Sequence, residues 1–269
     1  MAVMMIDFLR LGREDALFEE AMLKRMLRKF LGHLGFGFAV KLWSLRALVD
    51  RLDNESVNSI VDFGCGDGMY TFWLQKRFVN ASVFGIDGDA AAITHAQLKS
   101  RHFTDGKVLF ECCRFDQYKA STDADLVVCL DAIYYTEDGM EYLKKACSMV
   151  KPSGHLILSL PYLDRHYQSD FGYFTGDVSI DKLAPLYRLE NIQQALVAQG
   201  FILEEVIQYP NPLLRWLIEA QRSRKPYINL LYPFWLVFSK LTFRTGHQRS
   251  THFMLLAQRS STACSRDEK

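Results

Sequence analysis

The sequence predicts an α/β fold built on a doubly wound sheet, and three observations lead there. From Val57 onward, short apolar runs alternate with stretches of helical periodicity, as strands linked by helices do. The run Leu126-Val-Val-Cys-Leu130 is apolar throughout, which suits a strand covered on both faces. A chain of 269 residues, 49% hydrophobic and 23% charged, is long enough for one large domain, or one domain with additions.

The elements follow in order. In Ala21–Leu31, apolar residues fall at 22, 23, 26, 27, 30 and 31, with Lys24, Arg25, Arg28 and Lys29 between them. That is a helix with a basic outer face. Gly32, Gly35 and Gly37 break it, and Val40–Leu52 resumes a helical pattern. Strands are expected at Ser59–Phe63, Ser82–Asp87, Lys107–Cys112, Asp125–Leu130, His155–Leu160, Ile202–Tyr209 and Thr251–Ala257. Helices are expected at Met69–Phe78, Asp89–Lys99, Met140–Val150 and Glu190–Gln199, the last ended by Gly200. Two segments interrupt the alternation: Pro161–Leu189, rich in Tyr, Phe, Asp and Gly, and Tyr209–Thr251, with four prolines. Long insertions of this kind are commonly lids or binding elements.

Charge and cysteine usage narrow the function classes. Thirty-two Lys and Arg against 31 Asp and Glu leave a net charge of +1, so no global field attracts a polyanion and no nucleic-acid partner is expected. No apolar run reaches the ~18 residues of a spanning helix. Asp7, Arg10, Arg13, Glu14 and Asp15 argue against a secretory signal. The six cysteines show no CxxC, so they are expected to be reduced thiols of a cytoplasmic protein, neither zinc ligands nor disulfides.

The densest chemical signal is Ile60-Val-Asp62-Phe-Gly64-Cys-Gly66-Asp-Gly68, an apolar strand ending in alternating glycines with a helix behind it. Glycine there permits positive φ and lets a ligand approach bare backbone. The helix N-terminus supplies free amides suited to an anionic group. A dinucleotide fingerprint would read GxGxxG. Met69 stands where its third glycine belongs, and the glycines run GxGxG. The next strand, Val83-Phe-Gly-Ile-Asp87, ends in a carboxylate about twenty residues on, where an acid can accept both hydroxyls of a ribose.

Asp62-x-Gly64-x-Gly66-x-Gly68 and Asp87 together resemble class I S-adenosylmethionine-dependent methyltransferases. Lys107–Phe115 resembles that family's third strand and adenine-flanking turn, and Asp123–Tyr135 its fourth-strand motif. Met149-Val-Lys-Pro-Ser-Gly154 resembles its turn into the fifth strand. The likeness is close over residues 57–160 and weaker around Gln199-Gly200-Phe201 and the final strand.

The resemblance implies a Rossmann-like sheet of about seven strands with the last antiparallel, plus N-terminal helices and an insertion between the last two strands. It divides the chain into an N-terminal helical cap (1–52), an S-adenosylmethionine-binding domain (53–208), an aromatic insertion (209–250), and a last strand with tail (251–269). Asp62 and the backbone of Gly64, Gly66 and Gly68 would hold the methionine end of the cofactor. Asp87 would bind the ribose, with Gly88 and Asp89 near the same sugar or the adenine. Phe115 would lie beside the adenine. Leu130 and Asp131 would sit near the sulfonium. Arg114 departs from the acid many relatives carry there, which leaves a backbone acceptor or Asp116 to receive the adenine amino group.

Methyl transfer from a sulfonium needs alignment and exclusion of water, and a hydroxyl acceptor also needs a base. Asp131, Tyr134 and His166 are the candidates, with Tyr135 beside them; each has a plain alternative as cap, pocket wall or solvated loop residue. His155 lies inside a strand pattern and reads as structural. One carboxylate at 131 without companions is a poor magnesium site, so no metal is expected. The Asp-Ala-Ile-Tyr segment lacks the Asn/Asp-Pro-Pro-aromatic motif of enzymes that methylate the amino groups of adenine or of glutamine side chains, and no Pro-Cys pair marks cytosine-carbon chemistry; whether O, N or C receives the methyl stays open. Elimination favours a small-molecule acceptor or a lipid-like one, and a hydrophobic acceptor would account for the basic–apolar elements of the chain. Alternatives are an aminopropyl transferase, which would want a more acidic pocket, and a non-catalytic binding subunit, which would need neither the turn nor Asp87.

The stretch from Pro226 to Ser239 has no charge, with Arg222, Arg224 and Lys225 before it and Lys240 and Arg244 after. It is too short to span a bilayer. A pocket lid, a homodimer contact and a peripheral membrane contact all remain open for it.

Overall fold

The computed structural model describes residues 36–103, 107–118, 123–133, 136, 138–161, 188–209, 216–217, 232–241, 243 and 252–261. The predicted Ala21–Leu31 helix, Tyr134, Tyr135, His166 and most of the 161–189 insertion lie outside them.

Helix α1 spans Phe36–Val49, strand β1 Ser59–Phe63, α2 Met69–Arg77, β2 Ser82–Asp87 and α3 Ala90–Phe103. Strands β3 (Val108–Cys112) and β4 (Ala124–Leu130), helix α4 (Gly139–Ser148) and strand β5 (Val150–Pro161) follow. Helix α5 (Leu189–Ala198), strand β6 (Phe201–Tyr209), helix α6 (Tyr232–Leu241) and strand β7 (His252–Arg259) complete the order.

The seven strands form one sheet in the order β3-β2-β1-β4-β5-β7-β6. β1 runs parallel to β2 and β4, β2 to β3, and β4 to β5. β7 enters antiparallel beside β5, with His155 opposite Gln258 and Pro161 opposite His252. This is the predicted doubly wound sheet with a reversed last strand. Strand order changes direction between β1 and β4, and a crevice outside the carboxyl ends of the strands opens at such a switch point.

Every residue of β4 is buried, which accounts for its unbroken apolar run. Phe63, Ile86, Leu158 and Phe253 sit in the same core, each contributing on the order of 1.5–3 kcal/mol by leaving water. At the amino ends of the strands, buried Asp125 is the clamp. Its Oδ2 accepts the amides of Asn58 and Ser59 and the Ser59 hydroxyl at 3.0, 2.9 and 2.8 Å, and its other oxygen pairs with Lys151.

Several boundaries differ from expectation: α1 begins at Phe36, so Gly37 lies inside it rather than breaking it, and ends at Val49 rather than Leu52, while α3 runs on past Lys99 to Phe103. The largest difference is at the start of β5. The helix predicted to reach Val150 stops at Ser148, and β5 begins at Val150 rather than His155. Val150 pairs with Ala124 and His155 with Leu126, so five steps along β5 oppose two along β4. Ser153 carries the extra chain at φ 63°. Gly154 fits because a Cβ there would lie 3.0 Å from the carbonyls of Ala124, Asp125 and Lys151. A β-bulge thus replaces the turn expected in Lys-Pro-Ser-Gly.

The chain falls into two compact units. One comprises residues 48–206 and 251–269, and the other 1–47 and 207–250. In the second, the ring of Trp43 meets Phe243 edge-on at 5.6 Å, and that of Trp216 meets Trp235 at 6.2 Å.

Candidate active site

Residues 64–68 join β1 to α2, and all three glycines of the turn have positive φ, at 87°, 55° and 82°. Beyond backbone they serve different ends. A Cβ at Gly64 would lie 2.2 Å from that of Ala132 and 3.2 Å from the Tyr142 hydroxyl, so this glycine lets the chain after β4 pack against the turn. A Cβ at Gly68 would lie 2.7 Å from the Phe110 ring. At Gly66 a Cβ would meet nothing within 4 Å among the described residues, so this glycine faces space that they leave open. Among the described residues no side chain caps the start of helix α2, whose N-cap is Gly68, which leaves its first amides to another acceptor.

The acid of β2 is bonded into this turn. Asp87 Oδ2 accepts the Gly66 amide at 2.7 Å, and Oδ1 accepts the Asp89 amide at 2.9 Å. A carboxylate offers about four lone-pair sites, so both oxygens keep capacity for hydroxyl donors. Asp89 in turn caps α3, accepting the amides of Ala91 and Ala92 at 2.9 and 3.1 Å. The Asp87 carbonyl accepts the Cys113 amide at 2.9 Å, which sets the chain after β3 beside it. There Gly88 faces Arg114, 3.7 Å from where a Cβ would stand. Arg114 is exposed and pairs with Asp116 at 3.2 Å, holding that carboxyl below its ordinary range. Phe115 is half-buried, its ring 5.7 Å from that of Tyr142.

Beneath the turn, Asp62 is buried and its Oδ2 accepts the Thr71 hydroxyl at 2.6 Å. Burial pushes its carboxyl up to about 7; the Thr71 bond opposes this and the Asp87 charge adds to it. Tyr142 stacks on Phe63 at 4.6 Å and donates its hydroxyl to the Phe63 carbonyl at 2.5 Å, making a floor under the end of β1. On the outer side, Lys99 of α3 reaches Asp67 at 2.7 Å and the Asp67 carbonyl at 3.4 Å.

At the end of β4, Leu130 is buried and Asp131 takes φ 55°, unusual for a residue with a side chain. Asp131 Oδ1 accepts the Ser159 hydroxyl at 2.6 Å, and its amide donates to the Ser159 carbonyl at 3.2 Å. Ala132, the next residue, is the one that meets Gly64. Asp62, the three glycines, Asp87, Gly88, Arg114, Phe115, Leu130 and Asp131 thus gather at the carboxyl ends of β1 to β4. Tyr134 and His166 lie outside the described residues. Sequence reasoning missed Thr71, Lys99, Phe110 and Ser159, which carry no motif of their own; a threonine facing inward from the first turn of α2 was the one legible hint. Among the described residues no group of three His, Cys, Asp or Glu side chains could hold a metal ion.

A family model described as a methyltransferase domain matches residues 42–206. The solved S-adenosylmethionine dependent methyltransferase from Mesorhizobium loti superposes with a TM-score of 0.56 at 20% identity, covering 84% of this chain and 100% of that one. The ubiquinone biosynthesis O-methyltransferase of Aliivibrio fischeri is 27% identical over 128 residues, 47% of this chain and 53% of that protein. The tRNA U34 carboxymethyltransferase of Campylobacter curvus is 29% identical over 114 residues, 41% of this chain and 37% of that protein. The chain therefore spans about half, or less, of the length of these curated relatives. The region that the family model matches holds the glycine turn, Asp87 and Asp131, and covers more than half of the sequence: the chain belongs to the class I S-adenosylmethionine-dependent methyltransferase family.

Proposed function

We propose that this protein binds S-adenosylmethionine at the turn after β1 and transfers its methyl group to a small, apolar acceptor. The observation that carries the reading is Asp87, whose two oxygens are aimed by the Gly66 and Asp89 amides beside the open space over Gly66. The residues present fit the cofactor. Asp87 would accept the ribose hydroxyls, and the uncapped start of α2 would take the methionine carboxylate. Asp62 would face the amino group, while Gly88, Arg114 and Phe115 would flank the adenine. When bound, the cofactor supplies an electrophilic methyl on a positive sulfur.

The chain's own part is alignment and exclusion of water. Leu130 would wall the space near the methyl. Asp131, held by Ser159, is one candidate to take the acceptor's proton; Tyr134 and His166 are the others. An uncharged stretch at 226–239 and a relative named for ubiquinone biosynthesis both favour an apolar acceptor. The cytoplasm is the expected compartment.

Calorimetry with S-adenosylmethionine and S-adenosylhomocysteine tests the cofactor, with dissociation constants expected in the roughly micromolar range. Folded protein that gives no heat with either overturns the reading. An acceptor screen with product mass analysis tests the second half. Bulk tRNA belongs in that screen because one relative is named for a tRNA site, and its methylation would overturn the small-molecule assignment.

A further inference from the structure

In α6, Phe234, Phe238 and Leu241 stand four and then three residues apart, so they share one helix face. All three are exposed, at 60%, 37% and 74%. The rings of Phe234 and Phe238 stack at 6.2 Å and 11°. Trp235 meets both phenylalanines edge-on, and Trp216, itself 42% exposed, meets Trp235 in the same way. The result is an aromatic ridge on which Phe234 and Leu241 are the most exposed side chains.

Charge says what covers it. Between Glu219 and Asp267 the sequence has no acidic residue. Arg222, Arg224 and Lys225 precede α6, and Lys240, Arg244 and Arg249 follow its aromatic part. Lys240 also lies near Arg46 in the last turn of α1; partial burial first, and that neighbouring cation second, hold its ammonium below the ordinary lysine range. In sequence, this apolar helix is thus flanked on both sides by basic residues in a chain whose net charge is +1. Basic flanks about an apolar face of Phe, Trp and Leu are the composition of helices that lie in a membrane interface. Ten residues give a helix of about 15 Å, half the hydrocarbon thickness of about 30 Å, so α6 would lie in the plane of the membrane. No described helix is long and apolar enough to cross a membrane.

We propose that the Phe234–Phe238–Leu241 face of α6 docks this protein on an anionic bilayer surface. The aromatic side chains enter the headgroup region, and the flanking Lys and Arg pair with lipid phosphates. This does not rest on the methyl-transfer reading, and either can fail alone because vesicle binding is measured without S-adenosylmethionine.

The test is flotation of the full chain with vesicles of phosphatidylcholine alone, or of phosphatidylcholine and phosphatidylglycerol at roughly 2:1, at low and high salt. Binding is expected to the anionic vesicles only, to weaken with salt, and to bring a blue shift of tryptophan emission. A Phe234→Ser, Leu241→Ser double variant with unchanged circular dichroism is expected to lose affinity at least about tenfold. Lys240→Glu should weaken binding to anionic vesicles and leave the aromatic face intact. Folded protein that floats with neither vesicle overturns the proposal. So does a wild-type dimer that the double variant dissolves without any change in flotation, which would assign the face to a second copy of the chain.

Discussion

The Asp87 carboxylate accepts the Gly66 amide at 2.7 Å, so the acid that ends β2 and the turn that follows β1 are one bonded unit. The same carboxylate holds the Asp89 amide, and Asp89 caps α3. One side chain thereby fixes two loops at the crevice where the strand order reverses.

Removing it should weaken binding more than folding. Hydrogen bonds to a charged acceptor are worth about 1.5–3 kcal/mol each, and Asp87 is only half-buried, so the folding cost lies near the low end. Asp87→Ala is expected to fold, melt a few degrees lower and bind S-adenosylhomocysteine roughly a hundredfold more weakly or not at all. Calorimetry beside a thermal melt separates the two effects. Unchanged affinity would remove Asp87 from the binding site.

The glycines of the turn should not behave alike. Gly64→Ala drives a methyl to 2.2 Å from the Ala132 side chain at φ 87°, and backbone strain plus overpacking should cost about 3 kcal/mol or more. Gly66→Ala meets no atom of the described residues within 4 Å and carries strain alone, about 1–2 kcal/mol. Its methyl, however, points into the space assigned to the cofactor. Chemical denaturation should rank Gly64→Ala as the more damaging, whereas calorimetry should show Gly66→Ala folded but impaired in binding. A stable Gly66→Ala with full affinity would place the ligand elsewhere.

Strands and the glycine turn were legible in the sequence because both rest on local rules, unbroken apolar runs for buried strands and positive φ for glycine. The start of β5 was not. Val150 to Gly154 carries Lys, Pro, Ser and Gly, which read as a turn, yet pairing of Val150 with Ala124 makes it a bulged strand. The partners of the site residues were hidden for another reason. Ser159 stands 28 positions from Asp131, and Lys99 stands 32 from Asp67, separations with no periodic signature. The aromatic insertion stayed ambiguous because a short apolar run does not say what it packs against.

Asp62 gives a prediction in pH. Its carboxyl titrates near 4 in an unfolded chain, whereas burial raises it to about 7 in the folded one. Below about 4 both states hold the proton, and this contribution to stability is fully present. Between about 4 and 7 the unfolded chain has released its proton while the folded chain keeps it, so stability falls with rising pH by an amount on the order of a few kcal/mol. Asp62→Asn keeps an acceptor for the Thr71 hydroxyl and removes the titration. Its melting temperature should vary less than the wild type's between about pH 4 and 7 and exceed it at about pH 8. Parallel profiles would mean that Asp62 is ionised in the fold without penalty.

Lys99 tests whether the outer side of the turn matters to binding. Its ammonium grips Asp67 between Gly66 and Gly68, at 2.7 Å from the carboxylate and 3.4 Å from the carbonyl. The Asp67 side chain is 43% exposed, and pairs that wet contribute about 1 kcal/mol or less to stability. The Lys99 side chain is only 17% exposed, so its stem packs, and methionine can replace that packing without the charge. Lys99→Met should therefore melt close to wild type yet bind S-adenosylhomocysteine severalfold more weakly, because Asp87 still holds Gly66 from one side while Asp67, the next residue of the turn, loses its hold on the other. Lys99→Arg should restore affinity, and raised salt should weaken the wild type toward the methionine variant. Equal affinity in all three proteins would show that Asp87 alone sets the turn.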